Sequence, residues 1–150
     1  MHVSRAFALC VAAAALLATR GGLAQESQGG KPYTVECGAN PEEAGATLCR
    51  VDRGTYVGWR TFHAICHTCH GQDALGSSFA PNLVDRVRQI DKPTFLKVMH
   101  EGFTGQMGVM PPWIQDPNVN KYFEELWSYL QARSDGVLPP GRPERLPAQP

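Results

Sequence analysis

Residues 66 to 70 read Cys-His-Thr-Cys-His. Two thiols three positions apart, followed at once by an imidazole, suit one chemistry well. The thiols can add to the two vinyl groups along one porphyrin edge and form thioether bonds, with a single helical turn holding them at the required separation. The next residue, His70, then turns a ring nitrogen towards the iron from the proximal side. This is the attachment pattern for haem c. Other chemistries also use a Cys-x-x-Cys pair. A thioredoxin-like dithiol needs a strand before the pair and an α/β surround, whereas the residues before Cys66 read as helix. A structural zinc site needs a second ligand pair, and Cys37 and Cys49 stand twelve apart with no His beside them. A plain Cys66–Cys69 disulfide leaves His70 without a part. The expected cofactor is therefore one covalent haem c on Cys66, Cys69 and His70.

A haem iron has a sixth position. Met99, His100, Met107 and Met110 lie downstream, and His63 and His67 lie close to the motif. Met110 stands in Gly-Val-Met-Pro-Pro-Trp, where the following prolines fix the backbone and remove a competing donor. A rigid loop of that kind can hold a weak thioether on iron against water, so Met110 is the expected sixth ligand. Met107, three residues away, is its competitor, and a His ligand or an open position remain as alternatives. Met99 sits on a helical apolar stripe, where packing explains it. His63 and His67 are read as surface or packing residues. Trp113 and Trp59 are candidates to pack on the haem or to hydrogen-bond a propionate, with plain helix packing an equal reading for Trp59. His/Met ligation raises the reduction potential and leaves no coordination position for a substrate. Both properties favour electron transfer over catalysis, so the chain is not expected to be an enzyme.

The elements that must position these groups read as helices. Tyr56, Trp59, Phe62 and His63 or Cys66 recur at helical steps over residues 55–66. Residues 71–81 are loop-like. Leu83, Val84, Val87 and Ile90 suggest a short helix, and Phe95, Val98 and Met99 another, begun near residues 91–93 and ended at Gly102. Residues 102–117 form a Gly, Met and Pro loop. The strongest helical pattern covers residues 117–133, with Asp116 as N-cap, Pro117 in the first turn and Gly136 beyond its end. No repeat and no alternating strand of convincing length is visible. The expected fold is all-α: a single domain of helices and long loops wrapped round one haem. The high Pro and Gly content, 12 and 15 residues, agrees with long loops.

The segments outside that domain read differently. Residues 6–18 are an apolar run after a short basic start, and Gly22-Leu23-Ala24 supplies small residues for cleavage. Residues 1–24 are therefore expected to be a secretory signal peptide, since the run is too short for a bilayer span of roughly 20 residues. Cys10 lies inside the run, which argues against lipidation. Residues 25–53 form an N-terminal extension, residues 54–133 the haem domain, and residues 134–150 an extended, Pro-rich tail. Fourteen basic residues balance fourteen acidic ones in the full chain. Removing Arg5 and Arg20 with the signal leaves twelve against fourteen. Nothing in this charge pattern suggests a nucleic-acid partner, and no segment after the signal is long and apolar enough to span a membrane. The expected compartment is the periplasm. Oxidising surroundings make a Cys37–Cys49 disulfide plausible, with two free thiols as the alternative.

Gly58, Phe62 and Cys66, at four-residue intervals before the haem motif, resemble the first helix of the class I cytochromes c. The resemblance covers roughly residues 55–133. It implies that Gly58 lets the last helix cross closely, that Leu126 and Tyr129 are the crossing residues, and that the Pro81 carbonyl accepts the axial imidazole's N–H, orienting the ring and raising its basicity. A narrower resemblance rests on Tyr56-Val57-Gly58-Trp59, on Met110-Pro111-Pro112-Trp113, and on the tail residues 132–138 with Gly141-Arg142-Pro143. These segments are similar to periplasmic cytochromes paired with quinoprotein (PQQ-dependent) alcohol and methanol dehydrogenases. That family implies a monomeric carrier of single electrons, taking them from a PQQ-dependent alcohol dehydrogenase and passing them to a terminal oxidase or another cytochrome. A ligand-sensing haem protein and a cytochrome subunit of a larger dehydrogenase are the alternatives. Encounters with a partner would use the apolar rim of an exposed haem edge. Arg60, Lys92 and Lys97 could steer an acidic partner, but a solvated surface role fits each of them better.

Overall fold

The computed structural model describes residues 30–148. The expected signal peptide, residues 1–24, lies outside the described residues. A hairpin comes first, with β1 (Val35–Ala39) antiparallel to β2 (Thr47–Val51). Asp52 then caps α1 (Arg53–Thr61), its Oδ1 accepting from the Thr55 amide at 2.9 Å and its Oδ2 from the Thr34 amide at 2.6 Å. One carboxylate thus starts the helix and ties the hairpin to it. The helix widens into a π-helical turn over Phe62–Cys66 and tightens again in α2 (His67–His70).

Asn82 caps α3 (Leu83–Val87), and Asp91 caps α4 (Lys92–Glu101), with Pro93 in the first turn. Gly102 ends α4 at φ +78°, in the left-handed region that Gly adopts without a Cβ penalty. A small hairpin follows, β3 (Phe103–Gly105) with β4 (Gly108–Met110). The last helix, α5 (Phe123–Ser134), crosses α1. The crossing is tight because position 58 has no side chain: an ideal Cβ there would lie 1.9 Å from the Glu125 carbonyl oxygen. Phe62 and Tyr129 fill the space beside it, ring centroids 5.4 Å apart and both fully buried. Val51, Val119, Leu126 and Leu138 complete the innermost core.

Three expectations need correction. First, the fold is not plainly all-α. The extension contains a β-hairpin, and two residues of the tail, β5 (Glu144–Arg145), add to it in parallel with β2. Residues 25–53 and 134–150 therefore meet in one three-stranded sheet of order β1-β2-β5. Second, residues 102–117 are not all loop, since Met110 ends a strand. Third, the last helix begins at Phe123 and not at Pro117. Asp116 caps the Asn118 amide at 2.7 Å within a turn, and Asn120 bonds the Ile114 carbonyl at 2.9 Å. Short polar side chains here satisfy local turns in place of a helix. Val119 is nevertheless buried in the core. Beyond α5 the tail packs back on the domain. Leu138 is buried, and Arg142 lies over the Trp59 ring at 5.7 Å while its guanidinium donates to the Tyr56 hydroxyl at 3.3 Å. No helix among the described residues is long and apolar enough to cross a membrane.

Candidate functional site

The two thiols and the imidazole of the motif occupy consecutive turns at the end of the first helical arm. Cys66 is half-buried at the end of the π-helical turn, and Cys69 is exposed one turn on. Burial pushes the Cys66 thiol up to about 12, and the neighbouring Cys69 adds to the rise. The unmodified pair therefore presents one thiol firmly in its protonated form. Both sulfurs are free, as addition to two vinyl groups requires.

His70 is buried, and its Nδ1 donates to the Pro81 carbonyl oxygen across 3.1 Å. With the hydrogen on Nδ1, the lone pair of Nε2 is left for a metal. Burial lowers the imidazole's proton affinity, against the opposite pull of the Pro81 hydrogen bond. A neutral ring with a fixed tautomer is what ligation needs.

The loop joining His70 to Pro81 is drawn tight. The Gly76 amide donates to the His70 carbonyl at 2.8 Å, and a Cβ on Gly71 would meet the Gly76 carbonyl oxygen at 2.1 Å. Ser77 hydroxyl donates to the Cys69 carbonyl, and its amide to the Ala80 carbonyl at 3.0 Å. These contacts bring Pro81 back to His70 after eleven residues. Ser77, Gly71 and Gly76 were not singled out from the sequence. Their only signal there was a Gly directly after His70 and a Gly-Ser pair before the proline.

The three downstream methionines are sorted by their surroundings. Met99 is buried in the core at 3% exposure, and Met107 is exposed at 49%. Met110 is partly buried and packs against the core. Its carbonyl crowds Gly102, where a Cβ would lie 2.6 Å away. Trp113 is partly buried as well, and its amide donates to the Met99 carbonyl at 2.8 Å. The Met110 segment is thereby pinned to the end of α4. At the turn of this hairpin, Gly108 lies beside the Phe79 carbonyl, on the same loop as Pro81.

These residues fit a covalent haem. The donor set is two thiols, an oriented imidazole and a partly buried thioether. Around it, Leu75, Phe79, Phe103, Met107 and Val109 are large apolar side chains exposed on the loops that carry Pro81 and Met110. A flat apolar macrocycle would give such side chains a surface to cover.

Cys37 and Cys49 stand opposite each other in the β1–β2 register, Cα atoms 4.1 Å apart, with their sulfurs joined. Cys49 is buried beside the Pro-rich tail, and a small pocket there is lined by Thr47, Cys49 and Leu138 to Pro143. His63 is nearly buried and not at the surface: its Nε2 lies 3.4 Å from Asp73 Oδ1. Asp73 has no counterpart in the sequence reading.

Comparison with known proteins gives a consistent picture. Residues 55–130 match the family model described as "Cytochrome C oxidase, cbb3-type, subunit III". Cytochrome c-553I of Paracoccus denitrificans is 38% identical over 99 residues, a match that covers 63% of this chain but only 44% of the relative. Cytochrome c-555 of Methylococcus capsulatus is 33% identical over 96 residues, covering 63% of this chain and 75% of the relative. Among solved structures, the c-type cytochrome XoxG from Methylobacterium extorquens AM1 superposes with a TM-score of 0.62 at 37% identity. That match covers 66% of this chain and 62% of the other.

Proposed function

The chain belongs to the class I c-type cytochromes and carries one covalent haem c, and on that premise we propose that it is a periplasmic carrier of single electrons between a PQQ-dependent alcohol dehydrogenase and a terminal oxidase or another cytochrome. When bound, haem c supplies a one-electron iron couple. Cys66 and Cys69 are the tethering thiols. His70 Nε2 is the proximal ligand, aligned by its Nδ1–H bond to Pro81, the single observation on which the site assignment leans most. Met110 is the distal ligand, favoured over Met107 and Met99 by its intermediate burial. Four protein-fixed groups and a closed coordination sphere suit outer-sphere transfer, with no catalysis by the chain itself.

The donor assignment rests on the segments at residues 56–59, 110–113 and 132–143, which are similar to cytochromes of that pairing. The encounter surface we propose is the apolar rim that Phe79, Phe103, Met107 and Val109 would form round the haem edge. No charged residue occurs in residues 74–84 or 102–115. A small uncharged contact suits brief docking by a monomer. The periplasmic assignment rests on the signal-like residues 1–24 and on the half-cystines at 37 and 49.

Stopped-flow mixing of the ferric holoprotein with a PQQ-dependent alcohol dehydrogenase and its alcohol tests this reading. Haem reduction is expected at rates that change little with ionic strength. Failure of both calcium- and lanthanide-loaded dehydrogenases to reduce the haem would remove the donor assignment. Fast, tight carbon monoxide binding to the ferrous protein at neutral pH would instead favour a ligand-sensing role.

A further inference from the structure

His63 lies in the π-helical turn that ends at Cys66, and its Nδ1 is 2.9 Å from the Trp59 carbonyl oxygen. A carbonyl only accepts, so Nδ1 carries the hydrogen and donates it. In the neutral ring Nε2 is then a bare lone pair. Nε2 lies 3.4 Å from Asp73 Oδ1 and has no hydrogen-bond partner although it is buried. Two acceptors opposed in a nearly dry site, with side chains 13% and 9% exposed, repel each other. A proton on Nε2 turns the same contact into a close pair of opposite charges.

Asp73 is held in this position from several sides. Its carbonyl accepts from Arg133 Nε at 3.2 Å and Nη2 at 3.1 Å, and its Oδ1 accepts from the Gly141 amide at 3.0 Å. Its backbone sits at φ +54° and that of Ala74 at φ +65°, in the left-handed region, a conformation non-glycine residues keep only when the surroundings impose it. The other groups facing His63 are accounted for. From α5 come Tyr129, ring centroid 5.9 Å away, and Arg133. Burial raises the Tyr129 hydroxyl's ionisation above its usual range, so it stays neutral. Arg133 directs its guanidinium at the carbonyls of Asp73 and Leu138. From the attachment helix come His67, at 6.3 Å between centroids, and Trp59 at 4.9 Å. From the tail, Arg142 lies over the far partner, Trp59.

We propose that His63, paired with Asp73, is a proton-linked regulator of the haem's reduction potential. The inference rests on the haem assignment above. His63 is three residues from the thioether position Cys66 and seven from the axial position His70. Each electron accepted removes one positive charge from the haem site. A cation at His63 is repelled less in the reduced protein, which therefore holds the Nε2 proton more tightly. By reciprocity the potential falls as pH rises through the His63 titration. Each electron taken from the donor is accompanied by uptake of a fraction of a proton from water onto Nε2, released again when the electron leaves.

The test uses the haem-loaded protein. A pyridine haemochrome spectrum first establishes one haem per chain; a protein that carries none overturns the functional reading and this inference together. On the loaded protein, the His63 ring protons are titrated by NMR in both oxidation states, and the potential is measured against pH. A higher His63 midpoint in the ferrous form is expected, with the potential falling across that same window. His63→Gln should abolish the fall in that window while keeping the haem spectrum, and Asp73→Asn should move the His63 midpoint to lower pH. Equal midpoints in the two oxidation states, or an unchanged slope in His63→Gln, overturn the inference alone. If either variant fails to fold, the wild-type titration decides by itself.

Discussion

Gly58 and Glu125 touch backbone to backbone: a Cβ added to the glycine would lie 1.9 Å from the Glu125 carbonyl oxygen and 2.9 Å from the Tyr129 Cβ. The first obstacle is main chain and cannot rotate aside. The two helices that frame the haem-bearing turn can keep this crossing only while position 58 stays bare.

Gly58→Ala is therefore expected to destabilise the holoprotein by about 3 kcal/mol, at the upper end of overpacking costs. Denaturant unfolding followed by helical circular dichroism measures it. A change below about 0.5 kcal/mol, within the range of ordinary surface substitutions, would show that the helices separate more freely than this contact allows.

Met110→Ala is expected to abolish the Met-to-ferric-iron charge-transfer band and lower the reduction potential. Met107→Ala should leave both nearly unchanged, because that side chain is exposed. Optical spectra and redox titration of the two variants check the assignment. The opposite pattern would move the distal ligand to Met107.

Asp135 accepts from Lys31 Nζ at 2.7 Å, the Tyr33 hydroxyl at 2.5 Å and Gln131 Nε2 at 3.0 Å. Burial alone would raise its carboxyl's pKa, but these donors outweigh it and hold it below the ordinary carboxylate value. A depressed folded-state value means the carboxylate's contribution is fully present above about pH 4 and is lost as pH falls through the folded value. Asp135→Asn should thus cost about 1 kcal/mol at pH 7, since the site is partly solvated. The gap between variant and wild type should close under acid. Thermal unfolding at a series of pH values tests this, and a gap independent of pH would count against it.

Replacing Cys37 and Cys49 together by Ser should lower stability by at most about 3 kcal/mol, the chain-entropy value for a short loop. The haem spectrum should not change. Unfolding of the double variant, and mass spectrometry of a non-reduced digest of the wild type, provide the measurements. Both cysteines alkylated without prior reduction would rule the bridge out.

The Cys66, Cys69 and His70 motif could be singled out because the covalent chemistry proposed for it dictates its spacing, whatever the surrounding fold. Helices α1 and α4 were legible for local reasons: apolar residues at helical steps, then Asp91, Pro93 and Gly102 as start and stop signals. The start of α5 was misread because Asp116-Pro117 opens a tight turn as readily as a helix, and Asn118 and Asn120 tip the balance. The strands were hidden for another reason. β1 is almost wholly exposed, so it shows no alternation, and β5 is two residues whose partner lies 94 positions earlier. Pairing at such a distance leaves no local trace. The same holds for Asp73, whose contacts with Arg133 and Gly141 come from the far end of the chain.

The β2–β5 pairing also changes how the molecule can come apart. Arg50 pairs with Glu144 and Val51 with Arg145, and the Leu146 amide donates to the Val51 carbonyl at 2.8 Å. The segment between them, which includes every haem-site residue, is closed into a ring by this seam. Strands at the margins of a domain ordinarily fray singly. Here β2 lies between the two margins, so its loss releases β1 and β5 together, and the beginning and the end of the domain share one point of failure.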